Sequence, residues 1–327
     1  MEIKEALSEI IKGNDLSREE MSSVVLQILE GRSTDAQIGA FLVALNIKGE
    51  SVNEVVGAVN VMRELSEKVE ASSHHLVDTC GTGGTGVGIF NVSTAAAFIA
   101  CACGAKVAKH GNRSATRSSG SADLLEHAGL SLELSPKDVS RCIEEVGVGF
   151  MFAPAHHGAM KHTVGPRKEM GLKTIFNLVG PLTNPAGALN QVIGVYAKKW
   201  VRPIAEVLKE LGSNHVLVVH SKDHLDEISI AEETYVAELI NGSIKEYVIG
   251  PEDFGFSKKP LDSLMVSSAS ESLSIIKQGL LNKNYAASSM IAMNSGAALY
   301  VSGVAGSLKE GVSVAKNCVE SGEGLKK

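Results

Sequence analysis

The stretch that most constrains this chain runs from Asp78 to Gly88. It reads Asp78-Thr79-Cys80-Gly81-Thr82-Gly83-Gly84-Thr85-Gly86-Val87-Gly88, with five glycines in eleven positions. The apolar pair Leu76-Val77 enters it, and Asn91-Val92-Ser93-Thr94 leads out into an apolar helical run over 91–103. A strand that turns through glycines into a helix is the building unit of an α/β protein. Glycine lets successive backbone amides point at one anion, and the helix N-terminus adds partial positive charge. The loop therefore reads as a phosphate or pyrophosphate cradle. No Gly-Lys-Ser/Thr closes it, so it is not a Walker loop. No acidic residue follows a second strand at the distance a dinucleotide fingerprint needs. A plain glycine-rich turn is the competing reading, and the side-chain donors of Asn91, Ser93 and Thr94 weigh against it.

Ahead of this loop, residues 1–70 read as helices only. Ile3, Leu7, Ile10 and Ile11 recur at helical spacing up to Gly13. Ser17 with Glu20, Thr34 with Gln37, and Ser51 with Glu54 are three capping-box spacings. Each precedes an apolar stripe: Met21, Val24, Val25, Ile28 and Leu29; then Ile38, Phe41, Leu42 and Leu45; then Val55, Val59 and Met62. The spacing predicts a small domain of four short helices, whose surplus apolar face suits a dimer surface. Beyond the glycine loop, strands are predicted at 105–109, 150–152, 191–197, 215–220, 234–240 and 244–249. Helices are predicted at about 119–128, from Ser135-Pro136, near 200–211 and after 270. Alternation of this kind predicts a largely parallel sheet. The expected domains are 1–70, joined by helices near 155–180, and 71–327.

Charge narrows the partners. Thirty-one basic against 37 acidic residues give a formal net charge of −6, which argues against duplex nucleic acid. A local basic pocket for a small phosphate remains compatible with that balance. The N-terminus lacks the basic start and apolar run of a signal peptide, and no long apolar stretch predicts a membrane span. Five cysteines without a repeated CxxC spacing predict reduced thiols in a cytoplasmic protein rather than a disulfide framework or a zinc site.

Three further segments carry chemistry. Lys109-His110-Gly111-Asn112-Arg113-Ser114-Ala115-Thr116-Arg117, continuing through Ser121 to Asp123, packs cations and hydroxyls into a loop after a strand. Such local positive density in an acidic chain suits an anion, and the end of a strand is the usual ligand edge of an α/β sheet. Phe152-Ala153-Pro154-Ala155-His156-His157 leads to Arg167 and on to Gly180-Pro181-Leu182-Thr183-Asn184-Pro185. Adjacent histidines rarely hold one metal ion, so zinc is not expected there. Asp226-Glu227 offers neighbouring carboxylates, which suit a hard cation such as Mg²⁺.

Together these segments resemble the anthranilate phosphoribosyltransferases over essentially the whole chain. The resemblance implies a nucleoside-phosphorylase-like α/β domain with a small all-helical domain, usually as a homodimer. It implies transfer of the phosphoribosyl group from phosphoribosyl pyrophosphate to anthranilate, in tryptophan biosynthesis. It implies that the first substrate meets Gly81, Gly84, Thr85, Ile89, Asn91, Val92, Ser93 and Thr94 in the glycine loop. From the basic loop it implies Lys109, His110, Gly111, Asn112, Arg113, Ser114, Ala115, Thr116, Arg117 and Ser121. Gly81, Asn112, His157 and Arg167 should face anthranilate. Ser93, Asp226 and Glu227 should hold Mg²⁺. No residue is expected to act as acid or base, because an aromatic amine is a neutral nucleophile at pH 7.

The chain departs from the family pattern at Thr85, where the family usually has Asp, and at Ile89, where it often has Thr. His157-Gly158 also replaces a His-Pro. Two other readings stand beside this one. A pyrimidine nucleoside phosphorylase-like enzyme would share the fold but take phosphate and a nucleoside. A non-catalytic relative would bind nucleic acid, which the net charge disfavours.

Overall fold

The computed structural model describes residues 1–72, 74–114 and 119–327. The chain forms two compact units. The first comprises Met1–Glu67 and Pro154–Pro185, the second Lys68–Ala153 and Ala186–Lys327. The first unit is helical: α1 (Ile3–Ile11), α2 (Arg18–Leu29), α3 (Asp35–Lys48) and α4 (Val52–Glu64). All three capping boxes form, with each Ser or Thr hydroxyl accepting the amide three residues on. Glu54 does more than cap. It is fully buried, and its Oε1 accepts the Leu16 amide at 3.0 Å while Lys48 donates to its Oε2 at 2.9 Å.

The second unit opens with β1 (Leu76–Gly81), α5 (Val92–Ala102), β2 (Lys106–Gly111), α6 (Ser121–His127), α7 (Pro136–Arg141) and β3 (Val148–Phe152). From β3 the chain enters α8 (Ala153–His156), then α9 (Lys161–Met170) and α10 (Ile175–Val179) of the first unit. It returns through β4 (Asn190–Gly194), α11 (Val201–Glu210), β5 (His215–Ser221), β6 (Thr234–Ile240) and β7 (Ser243–Ile249). The helices α12 (Ala269–Leu280), α13 (Tyr285–Val301) and α14 (Leu308–Ser321) close the unit. Among the described residues no helix is long and apolar enough to cross a membrane.

The seven-stranded sheet has the order β3-β2-β1-β4-β5-β6-β7. It is parallel from β3 to β5, while β6 and β7 are antiparallel. Asn241 and Gly242, both at positive φ, turn β6 into β7. The strand expected over 191–197 ends at Gly194. Beyond it the Tyr196 amide donates to the Thr82 hydroxyl at 2.9 Å instead of continuing the ladder. One face of the sheet buries Val77, Val107, Val192 and Leu217 in the main core. The other face buries Leu76, Ala108 and Met151 in a second cluster with Val139 and Ile143.

This strand order fixes where a ligand can sit. The chain steps from β1 to β2 on one side, while β4 lies on the other. Loops after β1 and β4 therefore part, and the crevice between them lies at the carboxyl ends of the strands. The glycine loop follows β1, the basic loop follows β2, and Asp226-Glu227 follows β5.

Candidate active site

The glycine loop leaves β1 with Gly83, Gly84 and Gly86 at positive φ, a backbone that side-chain-bearing residues rarely adopt. Its far end is pinned to the segment after β7, with the Val266 amide donating to the Gly88 carbonyl at 2.8 Å and the Phe90 amide to the Leu264 carbonyl at 3.1 Å. Ile89 and Val92 turn their side chains into the core, at 4% and 0% exposure. At these two positions only the backbone is left to meet a ligand.

Asp226 and Glu227 reach back onto this loop and the start of α5. Asp226 is 4% exposed, and its Oδ2 accepts the Gly83 amide at 2.8 Å. Glu227 Oε1 accepts the Ser93 amide at 3.3 Å. The sheet leaves room for Asp226 only because two strands carry glycine beside it. A Cβ on Gly81 would lie 2.5 Å from Asp226 Oδ2, and one on Gly194 would lie 1.7 Å from the Asp226 carbonyl oxygen. Thr79, Cys80, Ser93, Asp226, Glu227 and Asn294 line the small cavity at this point.

Lys109 is 3% exposed, and its ammonium donates to the Thr79 carbonyl at 2.5 Å and the Ser93 hydroxyl at 3.2 Å. It thus brings a cation to the floor of the cradle. Asp78, beneath it, accepts the His110 amide at 3.2 Å. Ligand-type atoms of Asp78, Cys80 and His110 lie within 4.8 Å of one another, a grouping that nothing in the sequence pattern singles out. Burial pushes the Cys80 thiol far up, with Asp78 adding to the shift, so it stays protonated and is a poor metal ligand there.

The basic loop is arranged differently from its composition. Arg113 donates to Glu126 at 2.7 and 2.9 Å and to Asp123 at 3.1 Å, so acidic neighbours hold it. Those hydrogen bonds, Glu126 foremost, raise its already high pKa. Asp123 Oδ2 also accepts the amides of Ser114 and Gly120, at 3.0 and 2.8 Å, tying the two ends of the loop together. Asn112 Oδ1 accepts the Arg113 amide at 2.7 Å, and its carbonyl accepts the Ser121 hydroxyl at 3.4 Å. Ala115, Thr116 and Arg117 lie outside the described residues. The Thr85 hydroxyl accepts the Val87 amide at 3.4 Å.

His157 and Arg167 belong to the first unit, whereas Gly81 and Asn112 belong to the second. The Thr183 hydroxyl lies 3.4 Å from His157 Nε2 and donates to the Gly180 carbonyl at 2.8 Å, which links the two halves of that segment. His156 Nδ1 sits 3.0 Å from the Glu67 carbonyl. Adjacent histidines thus take separate partners. Arg167, half-buried on α9, stacks over Phe176 at 5.6 Å. Burial lowers its pKa, yet a guanidinium starts so high that it stays charged.

The chemistry of this arrangement is electrostatic. Loop amides, the α5 start and Lys109 supply positive potential, and a pair of carboxylates with the Ser93 hydroxyl supplies the all-oxygen donor set of a hard cation. The family described as "Glycosyl transferase family, a/b domain" matches residues 73–325, and "Glycosyl transferase family, helical bundle domain" matches 4–66. An anthranilate phosphoribosyltransferase of Marinomonas sp. (strain MWYL1) is 56% identical over 324 residues, 98% of this chain and 94% of that protein. The crystal structure of the Thermus thermophilus enzyme of that name matches with a TM-score of 0.92 and 39% identity, covering 98% of this chain and 96% of that one. The Saccharomyces cerevisiae enzyme, in complex with phosphoribosyl pyrophosphate and magnesium, matches at 0.90 and 26%, covering 99% and 95%.

Proposed function

We infer residue roles from a premise that these matches establish: the chain belongs to the anthranilate phosphoribosyltransferases of the glycosyl transferase family. It transfers the phosphoribosyl group of phosphoribosyl pyrophosphate to anthranilate, a step of tryptophan biosynthesis, and it uses Mg²⁺. One observation carries the assignment of the site. Lys109, 3% exposed, sets its ammonium against the Thr79 carbonyl and the Ser93 hydroxyl, so a buried cation stands where β1 meets the start of α5.

Displacement of pyrophosphate from the ribose carbon leaves positive charge on the sugar and negative charge on the leaving group. Lys109, the loop amides and the start of α5 stabilise the leaving charge without reorganising. Gly84 and Thr85, with Asn91, Thr94 and Ser121, orient the phosphates. Asp226, Glu227 and Ser93 would hold Mg²⁺, which when bound offsets phosphate charge. The acceptor amine is neutral, so positioning carries much of the rate. In this proposal Arg167 clamps the anthranilate carboxylate, and Asn112 and His157 orient the ring. The test is anthranilate fluorescence in the presence of phosphoribosyl pyrophosphate and Mg²⁺, with thymidine plus phosphate as the control. Consumption that does not depend on phosphoribosyl pyrophosphate would overturn the reading.

Arg167→Ala removes a charged partner of the kind worth about 1.5–3 kcal/mol. The apparent affinity for anthranilate should fall about tenfold or more, with phosphoribosyl pyrophosphate less affected. Equal losses for both substrates would exclude a carboxylate clamp. Thr85 is neutral where the family carries Asp, and a hydroxyl is a weaker Mg²⁺ ligand than a carboxylate. The wild-type chain should therefore tolerate high Mg²⁺, and Thr85→Asp should shift the magnesium optimum. Superimposable activity profiles against Mg²⁺ would show that position 85 does not govern metal use.

We propose a cytoplasmic homodimer that uses the helical unit. Ile11, Ile47, Val164 and Leu172 of that unit are 71%, 82%, 57% and 55% exposed, more apolar surface than an isolated small unit needs. Sedimentation at micromolar concentration should show a dimer, and a monomer throughout the range would refute it.

A further inference from the structure

We propose that Ser272, on α12 and outside both substrate loops, is a positioning residue for the phosphate-holding start of α5. This role rests on the phosphoribosyl pyrophosphate reading and adds a residue to that site. Asn91 occupies the position just before α5. An Asn there ordinarily turns its side-chain oxygen onto the amides of the first turn. Here the Asn91 side chain makes no such cap. Its Oδ1 accepts from Ser272 Oγ at 2.7 Å and from Ser119 Oγ at 3.2 Å. Its Nδ2 donates to the Ser119 carbonyl at 3.1 Å. A carbonyl only accepts, so this contact fixes which way the amide faces. Ser272 Oγ then accepts the Asn91 backbone amide at 3.0 Å and closes the ring.

Ser272 is 0% exposed and spends a donor and an acceptor on the same residue. The effect is to hold the natural cap away from the helix end. Of the first-turn amides, that of Val92 donates to the Phe90 carbonyl and that of Ser93 to Glu227, so what the arrangement keeps clear for a ligand's oxygens is the Thr94 end of the turn. The Thr94 hydroxyl on that turn is 1% exposed and has no hydrogen-bond partner. Without the Ser272 hydroxyl, Asn91 Oδ1 loses its shorter bond and is free to swing onto the first turn, where it would compete with Glu227 for the Ser93 amide and with a phosphate at the Thr94 end. Ser119 ends the basic loop, so the same ring also ties that loop to the helix start.

The experiment is isothermal titration of the full chain with inorganic pyrophosphate, alongside steady-state kinetics. Ser272→Ala should weaken pyrophosphate about fivefold, the size of one capping interaction. The Michaelis constant for phosphoribosyl pyrophosphate should rise equally, while that for anthranilate and kcat should stay within about twofold. In an Asn91→Ala background the same substitution should add almost nothing, because Ser272 acts through Asn91. Ser272→Cys keeps the shape with a weak donor and should lose about threefold, which carries the test if the alanine variant does not fold. Wild-type pyrophosphate affinity in the folded variants would overturn the proposal, as would an undiminished effect in the Asn91→Ala background. If the wild type binds pyrophosphate but does not consume anthranilate, the substrate reading fails while the Ser272 comparison still decides its own question.

Discussion

Replacing both Asp226 and Glu227 with Ala should lower activity about 10²–10³-fold or more, the scale on which a site loses its charge-stabilising groups. These two residues supply the carboxylate oxygens at the cradle, and the Gly83 and Ser93 amides lose their partners with them. Asp226 lies in the connection between β5 and β6 rather than in a strand, so the sheet should survive. The measurement is the initial rate against Mg²⁺ concentration, with thermal unfolding of the same samples. Near-normal turnover at limiting Mg²⁺ would remove these residues from the metal site. Collapse of the fold in parallel with activity would show that they serve the structure instead.

Gly194→Ala should be nearly as damaging, though Gly194 carries no functional group. The added methyl would lie 1.7 Å from the Asp226 carbonyl oxygen and 2.5 Å from its carbonyl carbon. Backbone atoms cannot swing aside as the tip of a flexible side chain can. Asp226 must therefore move by more than an ångström, or β4 must part from its neighbours. A displacement of about 1 Å is enough to cost about 100-fold in rate, and overpacking of this kind costs about 1–3 kcal/mol of stability. We expect kcat/KM to fall by about two orders of magnitude and the melting temperature to drop as well. A fully active Gly194→Ala enzyme would mean that the Asp226 backbone position does not matter to the reaction.

The features legible in the sequence were those written in local spacing. Ser17 with Glu20 and Thr34 with Gln37 lie three residues apart, so their caps need no knowledge of the rest of the chain. The glycine loop was equally plain, because strand, turn and helix follow one another directly. Lys109 stood out as a cation after a strand, and the structure buries it against Thr79 and Ser93. Other features depended on partners far away in sequence. Arg113 counts in the sequence as one of the basic loop's cations, whereas in the fold Asp123 and Glu126 hold it. Nothing near Ser272 marks it, because its partner Asn91 is 181 residues distant. The space for Asp226 comes from Gly81 and Gly194; Gly81 stands out as part of the glycine loop, but nothing near either glycine points to Asp226.

The central position of β1, between β2 and β4, has a consequence for how the protein comes into being. β1 can pair with β2 soon after both are made, but its other edge must wait for Asn190–Gly194, after the excursion through Pro154–Pro185. Asp226 arrives later still, 143 residues beyond the Gly83 amide it accepts. Contacts this distant in sequence form slowly, because loop closure must precede them. A nascent or half-folded chain can therefore carry its glycine loop and still have no carboxylate beside it. Catalytic competence is a property of the completed sheet, and it is gained and lost with that sheet as a whole.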